Sequence, residues 1–322
     1  MLALFDETHG QNHWSQTGFS SRQMHTNFAG LAKQLAASGF ACESHASGLL
    51  QAALAQAHLL VIPTPTGTYH ARRQCWRANP STLFTPEEIG HILRFLEHGG
   101  RLLAFAYRFG DSFTCSNLGQ LFAALGVLLN DDAVVDLQRL RTTHPLKSLF
   151  ETGRESLVLP WAADTIKRVQ WRYLATFSIL PCAVVLPLAI SPGVTCISFN
   201  RTHRRISFQS LPIAVAGLFG QGRFALFGGP HVFETGAFGL LDQADNGRFL
   251  ANVIGWLRSE NPLHAGVSPG AQLHLMPTWC TPGQEFCQLH ADGTADAAVK
   301  FVERLLQETD TLKALSRARC AV

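Results

Sequence analysis

The stretch Leu2-Ala3-Leu4-Phe5-Asp6-Glu7-Thr8-His9-Gly10-Gln11 runs from a short apolar segment into two carboxylates, a histidine, a glycine and an amide. An apolar run that ends in turn residues reads as a buried β-strand, and in an open α/β sheet ligands collect at the carboxyl ends of strands. Asp6, Glu7, His9 and Gln11 are therefore predicted at the rim of a cleft. A carboxylate beside a histidine tunes either group towards neutral pH and equips the pair for acid–base work. The same residues without chemistry would be a loop cap at Asp6 and a backbone hydrogen bond at His9.

Other spacings carry less. His9 and His13 lie four apart beside Glu7, but Gly10 and Asn12 speak against the helix that would bring them to one face. Cys280, Cys287 and His290 offer only three donors in a proline-rich stretch and match no strong zinc pattern, and His70 with Cys75 is weaker still. Gly220-Gln221-Gly222 precedes a strand instead of joining one to a helix, so it is no dinucleotide fingerprint, and no Walker-type loop is present. No metal and no cofactor is called for.

The elements that must position these residues follow from periodicity. Met24, Phe28, Leu31 and Leu35 predict an amphipathic helix near 20–38, stopped by Ser38-Gly39. Phe40 to His45 reads as a second strand, Leu49 to Gln56 as a short helix, and His58 to Pro63 as a third strand. Thr85-Pro86-Glu87-Glu88 combines an N-cap, a proline at the first helical position and a glutamate placed to close a capping box; Ile89, Ile92, Leu93 and Leu96 then line one face. Gly99-Gly100 ends that helix, and Arg101 to Ala106 is the fourth strand. Gly220 to Gly229 feeds a last core strand, and Asp245-Asn246 starts a helix that turns Phe249, Val253, Trp256 and Leu257 inward. Strands alternating with helices predict a mostly parallel, doubly wound sheet with helices on both faces.

Residues 130–222 break this rhythm and read as a sheet extension or a β-rich insertion. Residues 259–290 look like a proline-rich linker, and 291–322 like a terminal helix. Its stripe of Ala298, Phe301, Val302, Leu305, Leu312 and Leu315 either packs on the main domain or docks on a partner or second subunit.

Composition excludes several classes. The chain has 322 residues, 47% hydrophobic and 15% charged, enough to bury a large core, and its net charge of +3 is too weak and dispersed for nucleic acid or an anionic membrane. Leu174 to Val194 carries no charge, yet Pro181, Pro187 and Pro192 interrupt it, so strands joined by proline turns are expected there and not a membrane helix. Eight scattered cysteines and an N-terminus without signal-peptide character predict reduced thiols in a cytoplasm.

Taken in order, Phe5 to Gln11, Gly99-Gly100-Arg101-Leu102-Leu103, Gly220-Gln221-Gly222-Arg223 and Asp245 to Leu257 resemble the class I glutamine amidotransferase-like superfamily. The nearest branch is the non-catalytic one shared by gliding-motility and intraflagellar-transport proteins and related to trehalose-utilisation-type proteins. The resemblance spans about residues 1–258, with poor fit over 130–210, and implies a flavodoxin-like fold. Catalytic members of the superfamily carry a cysteine on a sharp strand-to-helix turn with a His and a Glu near the last core strand. Here the corresponding position is Ala106, followed by Tyr107-Arg108, so the nucleophile is missing. Cys115 comes nine residues later. Gly228-Gly229-Pro230-His231-Val232-Phe233-Glu234 is similar to the family's His-Glu element, with one extra residue that is expected to turn Glu234 away from a triad. His231 and Glu234 are then either ligand-contacting groups or a cap.

The resulting expectation is a cleft of Asp6, Glu7, His9, Gln11, Tyr107, Arg108, Asp111, His231 and Glu234 that binds a small polar, sugar-like ligand or a protein partner without catalysis. The alternative is a hydrolase in which Glu7, His9 and His231 act on water or another non-cysteine nucleophile.

Overall fold

The computed structural model describes residues 1–9, 28–46, 50–70, 75–135, 149–181, 183–191, 195–198, 206–207, 210–236 and 239–260. The expected linker and terminal helix beyond residue 260, with Cys280, Cys287 and His290, lie outside the described residues, as do Gln11, His13 and Met24.

Seven strands form the main sheet: β1 (Leu2–Asp6), β2 (Ala41–His45), β3 (Leu59–Ile62), β4 (Arg101–Phe105), β5 (Val185–Ile190), β6 (Pro212–Phe219) and β7 (Gly222–Phe227). Their spatial order is β5-β6-β7-β4-β3-β1-β2. The run β7-β4-β3-β1-β2 is parallel throughout, while β6 and β5 are added antiparallel. Numbered by sequence among themselves, the parallel strands have the flavodoxin order 2-1-3-4-5. Because those five run the same way, the exits of β1, β3, β4 and β7 share one edge of the sheet.

Helices cover both faces: α1 (Ala29–Ala37), α2 (Leu50–Leu54), α3 (Pro86–Glu97), α4 (Gly110–Thr114), α5 (Leu118–Ala124), α6 (Pro160–Ala163) and α7 (Asn246–Arg258). Strand side chains alternate between them, as a period of two requires. Ala3, Phe5, Leu59, Val61, Leu103, Phe105, Ala225 and Phe227 pack with Leu31 and Leu35 of α1 and Phe249, Leu250, Val253 and Leu257 of α7. Leu4, Leu60, Ile62, Leu102, Ala104, Phe224 and Leu226 pack with Leu54 of α2, Ile92 and Leu96 of α3, and Leu121 and Phe122 of α5.

Local signals behave as their chemistry demands. Thr85 Oγ1 accepts the Glu88 N–H at 3.2 Å and Glu88 Oε2 accepts the Thr85 N–H at 2.8 Å, so the capping box of α3 is complete. The first helix is shorter than expected in its described part, Ala29–Ala37, and stops where Gly39 takes a φ of +85°. The described parts of residues 130–222 contribute strands of two kinds. β5 and β6 extend the main sheet, and short antiparallel pairs, such as Phe150–Gly153 with Arg168–Trp171 and Val127–Leu129 with Phe177–Ile179, lie outside it. Pro187 sits on the edge strand β5, where a missing N–H is tolerated, and the register shifts beside it. Among the described residues no helix is long and apolar enough to cross a membrane.

Candidate functional site

The shared edge carries two clusters rather than one continuous cleft. At the exit of β1, Asp6 and His9 are both buried. Asp6 Oδ1 accepts from Thr8 Oγ1 at 2.6 Å and from the Thr8 N–H at 3.0 Å, while Oδ2 accepts from His9 Nδ1 at 2.6 Å. The other ring nitrogen of His9 faces Glu88 Oε1 at 3.4 Å, and the ring stacks on Phe84 with centroids 3.8 Å apart. Burial lowers the His9 pKa, but the hydrogen bonds and charges of Asp6 and Glu88 outweigh it and hold the value above 6.5. His9 thus ties the β1 exit to the first turn of α3. Asp6 is held at the β1 exit by Thr8 and His9. Glu7 is buried beside β2, its N–H donating to His45 O at 2.9 Å.

The second cluster stands where β4 and β7 end. Gly228 and Gly229 leave β7 against the segment 172–175; a Cβ on Gly228 would lie 2.0 Å from Ala175 O, and one on Gly229 2.8 Å from Tyr173 O. That approach sets Tyr173 beside His231, ring centroids 5.0 Å apart at 64°. Tyr173 takes a φ of +56°, a left-handed conformation costing a non-glycine residue about 1 kcal/mol, and its carbonyl accepts the Arg108 N–H at 3.1 Å. Tyr107 meets the same imidazole edge-on at 5.9 Å. The Arg108 guanidinium lies 4.6 Å from the Tyr173 ring centre, 5.2 Å from Phe113 and 5.7 Å from Tyr107.

His231 and Glu234 are hydrogen-bonded through Nδ1 and Oε2. This corrects the expectation that the extra residue turns Glu234 aside. Residues His231–Phe233 form a 3₁₀ turn, whose three-residue period stacks positions i and i+3. Burial pushes the Glu234 carboxyl up and His231 opposes the shift. Burial likewise lifts the Tyr107 phenol, which stays neutral. His231 Nε2 and Glu234 Oε1 are buried with no hydrogen-bond partner, as is Nε of Arg172, whose guanidinium lies 6.0 Å from the Tyr173 ring centre. An unsatisfied buried polar atom costs about 1–3 kcal/mol, so three in one cluster call for an explanation.

The position expected for the nucleophile holds no thiol. Ala106 is 2% exposed in the second core, its N–H donating to Phe227 O at 2.8 Å, and the sharp left-handed turn falls at Phe109, three residues on. Cys115 closes α4 against Gly67 at the β3 exit.

Asp111 lies in α4. It accepts from Ser116 Oγ at 2.6 Å and from the Gly119 N–H at 2.8 Å, fastening α4 to α5. His9 and His231 leave strands three positions apart in the sheet, roughly 14 Å at the usual strand spacing. Sequence reasoning missed Glu88, Phe84, Arg172 and Tyr173. One signal was present for the last two: the chain has only three tyrosines, and Arg172-Tyr173 mirrors Tyr107-Arg108.

No family model matches the chain. It is 25% identical over 196 residues to the mouse intraflagellar transport protein 52 homolog, covering 56% of this chain and 43% of the relative, and 24% identical over 196 residues to the human protein, covering 56% and 42%. The chain therefore spans about two fifths of the length of the curated relatives it matches. A solved mmIFT52 N-terminal domain superposes with a TM-score of 0.59 at 19% identity, covering 80% of this chain and 98% of that one. The two share a fold. The shared fold leaves the chemistry of the edge to the residues themselves.

Proposed function

We propose that this chain is a non-catalytic interaction protein of the amidotransferase-like kind, working in a cytoplasmic assembly and recognising a small polar ligand or a partner chain at the β4 and β7 exits. The observation that carries the reading is the His231–Glu234 pair, held in a catalytic style but facing two tyrosines instead of a nucleophile. Histidine and glutamate alone do not hydrolyse an amide, whereas an oriented imidazole with a bare Nε2 is a ready hydrogen-bonding anchor. The likeness to intraflagellar transport proteins supports a place in a multiprotein transport assembly, with the partner chain meeting this edge.

The test is twofold. Ammonia release from glutamine and hydrolysis of p-nitrophenyl acetate are expected to match buffer and to be unchanged by Cys115→Ser or His231→Ala. Turnover lost on either substitution overturns the reading. Thermal shifts across a panel of sugars and amino acids are expected to include at least one that disappears in His231→Ala.

A further inference from the structure

Three cationic or protonatable side chains surround the single ring of Tyr173: Arg108 at 4.6 Å, His231 at 5.0 Å and Arg172 at 6.0 Å. They come from three separate stretches of chain, the β4 exit, the segment after Arg168–Trp171 and the β7 exit, so the sheet topology and not one local turn assembles them. The carboxylate of this cluster, Glu234, is engaged with His231 Nδ1. Tyr107, which faces His231, keeps a neutral phenol and adds no negative charge. Two nitrogen atoms, Arg172 Nε and His231 Nε2, are buried without an acceptor.

We propose that the ligand engaged at this edge presents an oxyanion, a carboxylate or a phosphate, to Arg172 and His231, with Arg108 supplying charge from the aromatic box. The inference rests on the binding role proposed above for the same edge and specifies the chemistry of what is bound. Guanidinium groups match the geometry of carboxylate and phosphate oxygens, and a protonated imidazole oriented through Nδ1 donates from Nε2 to an anion.

Isothermal titration of the full chain with sodium succinate and with inorganic phosphate, at constant ionic strength and with chloride as the control anion, tests this. Saturable binding of at least one is expected, weakened at least tenfold by Arg172→Gln, recovered in part by Arg172→Lys, and unchanged in His9→Gln, which alters the distant cluster. Arg108→Gln provides an independent variant should Arg172→Gln fail to fold, and is expected to weaken binding in the same direction. Which anion binds separates a carboxylate from a phosphate. Failure of both to bind, or binding that neither arginine substitution changes, overturns the proposal. Glucose or glutamine binding that depends on His231 while both anions fail removes the oxyanion inference and leaves the binding role standing; hydrolytic turnover removes the binding role itself.

Discussion

His9 and Glu88 face each other at 3.4 Å although they stand 79 positions apart in the chain, and the same glutamate closes the capping box of α3. One imidazole therefore couples the exit of the first strand to the start of a helix on the other side of a long connection. With Asp6 on Nδ1 and Glu88 on Nε2, the protonated ring is the form both carboxylates favour.

The pH dependence of this contact has a definite sign. The folded His9 pKa lies above the unfolded value of 6.5, so its stabilisation is full below 6.5 and is lost as pH rises through the raised folded value. His9→Gln should cost about 3 kcal/mol near pH 6, because it leaves the buried Asp6 carboxylate and the partly exposed Glu88 without their cation. The deficit should shrink by pH 9, read from chemical denaturation across that range.

Asp132 titrates in the same direction for a different reason. Burial, against the hydrogen bonds from Thr176 N–H at 2.7 Å and Thr176 Oγ1, lifts its carboxyl to about 7. Between pH 3.8 and 7 the folded protein holds a proton that the unfolded chain has released, so stability falls with rising pH through that window and is level above it. Asp132→Asn should flatten this part of the pH–stability curve by several kcal/mol.

The backbone approach that places Tyr173 is open to a paired glycine test. Gly228→Ala sets a methyl 2.0 Å from Ala175 O and should destabilise by about 3 kcal/mol, within the range for overpacking. Gly255→Ala, in α7 with nothing within 4 Å of the added carbon, should instead stabilise by roughly 0.5–1 kcal/mol. Thermal melts of the two variants report opposite shifts.

The individual strands, the α3 cap and the inward face of α7 are legible because each depends on neighbours within a turn or two of sequence. Asp6, His9, Tyr107, Arg108, His231 and Glu234 do reach one edge, as expected from strand exits in a parallel sheet. Their division into two clusters was not legible, since Glu88 arrives at His9, and Tyr173 at His231, through contacts between distant parts of the chain. One extra residue is expected to turn Glu234 away, but the backbone coils into a 3₁₀ turn that brings positions i and i+3 together. Tyr173 was hidden by its left-handed φ, which no local signal announces in a non-glycine residue.

A buried pair such as His231–Glu234 should be far more sensitive to loss of one member than of both. Glu234→Leu alone should cost about 3–5 kcal/mol, and the double replacement with His231→Leu should recover much of that, measured as a double-mutant cycle in urea.

The most direct measurement is nitrogen-15 NMR of the histidine rings during titration with succinate, phosphate, glucose and glutamine. The ligand that raises the melting temperature should move the Nε2 resonance of His231, leave both ring nitrogens of His9 in place, and persist without forming product. Displacement confined to His9, or steady conversion of the added compound, would contradict a binding edge built around His231.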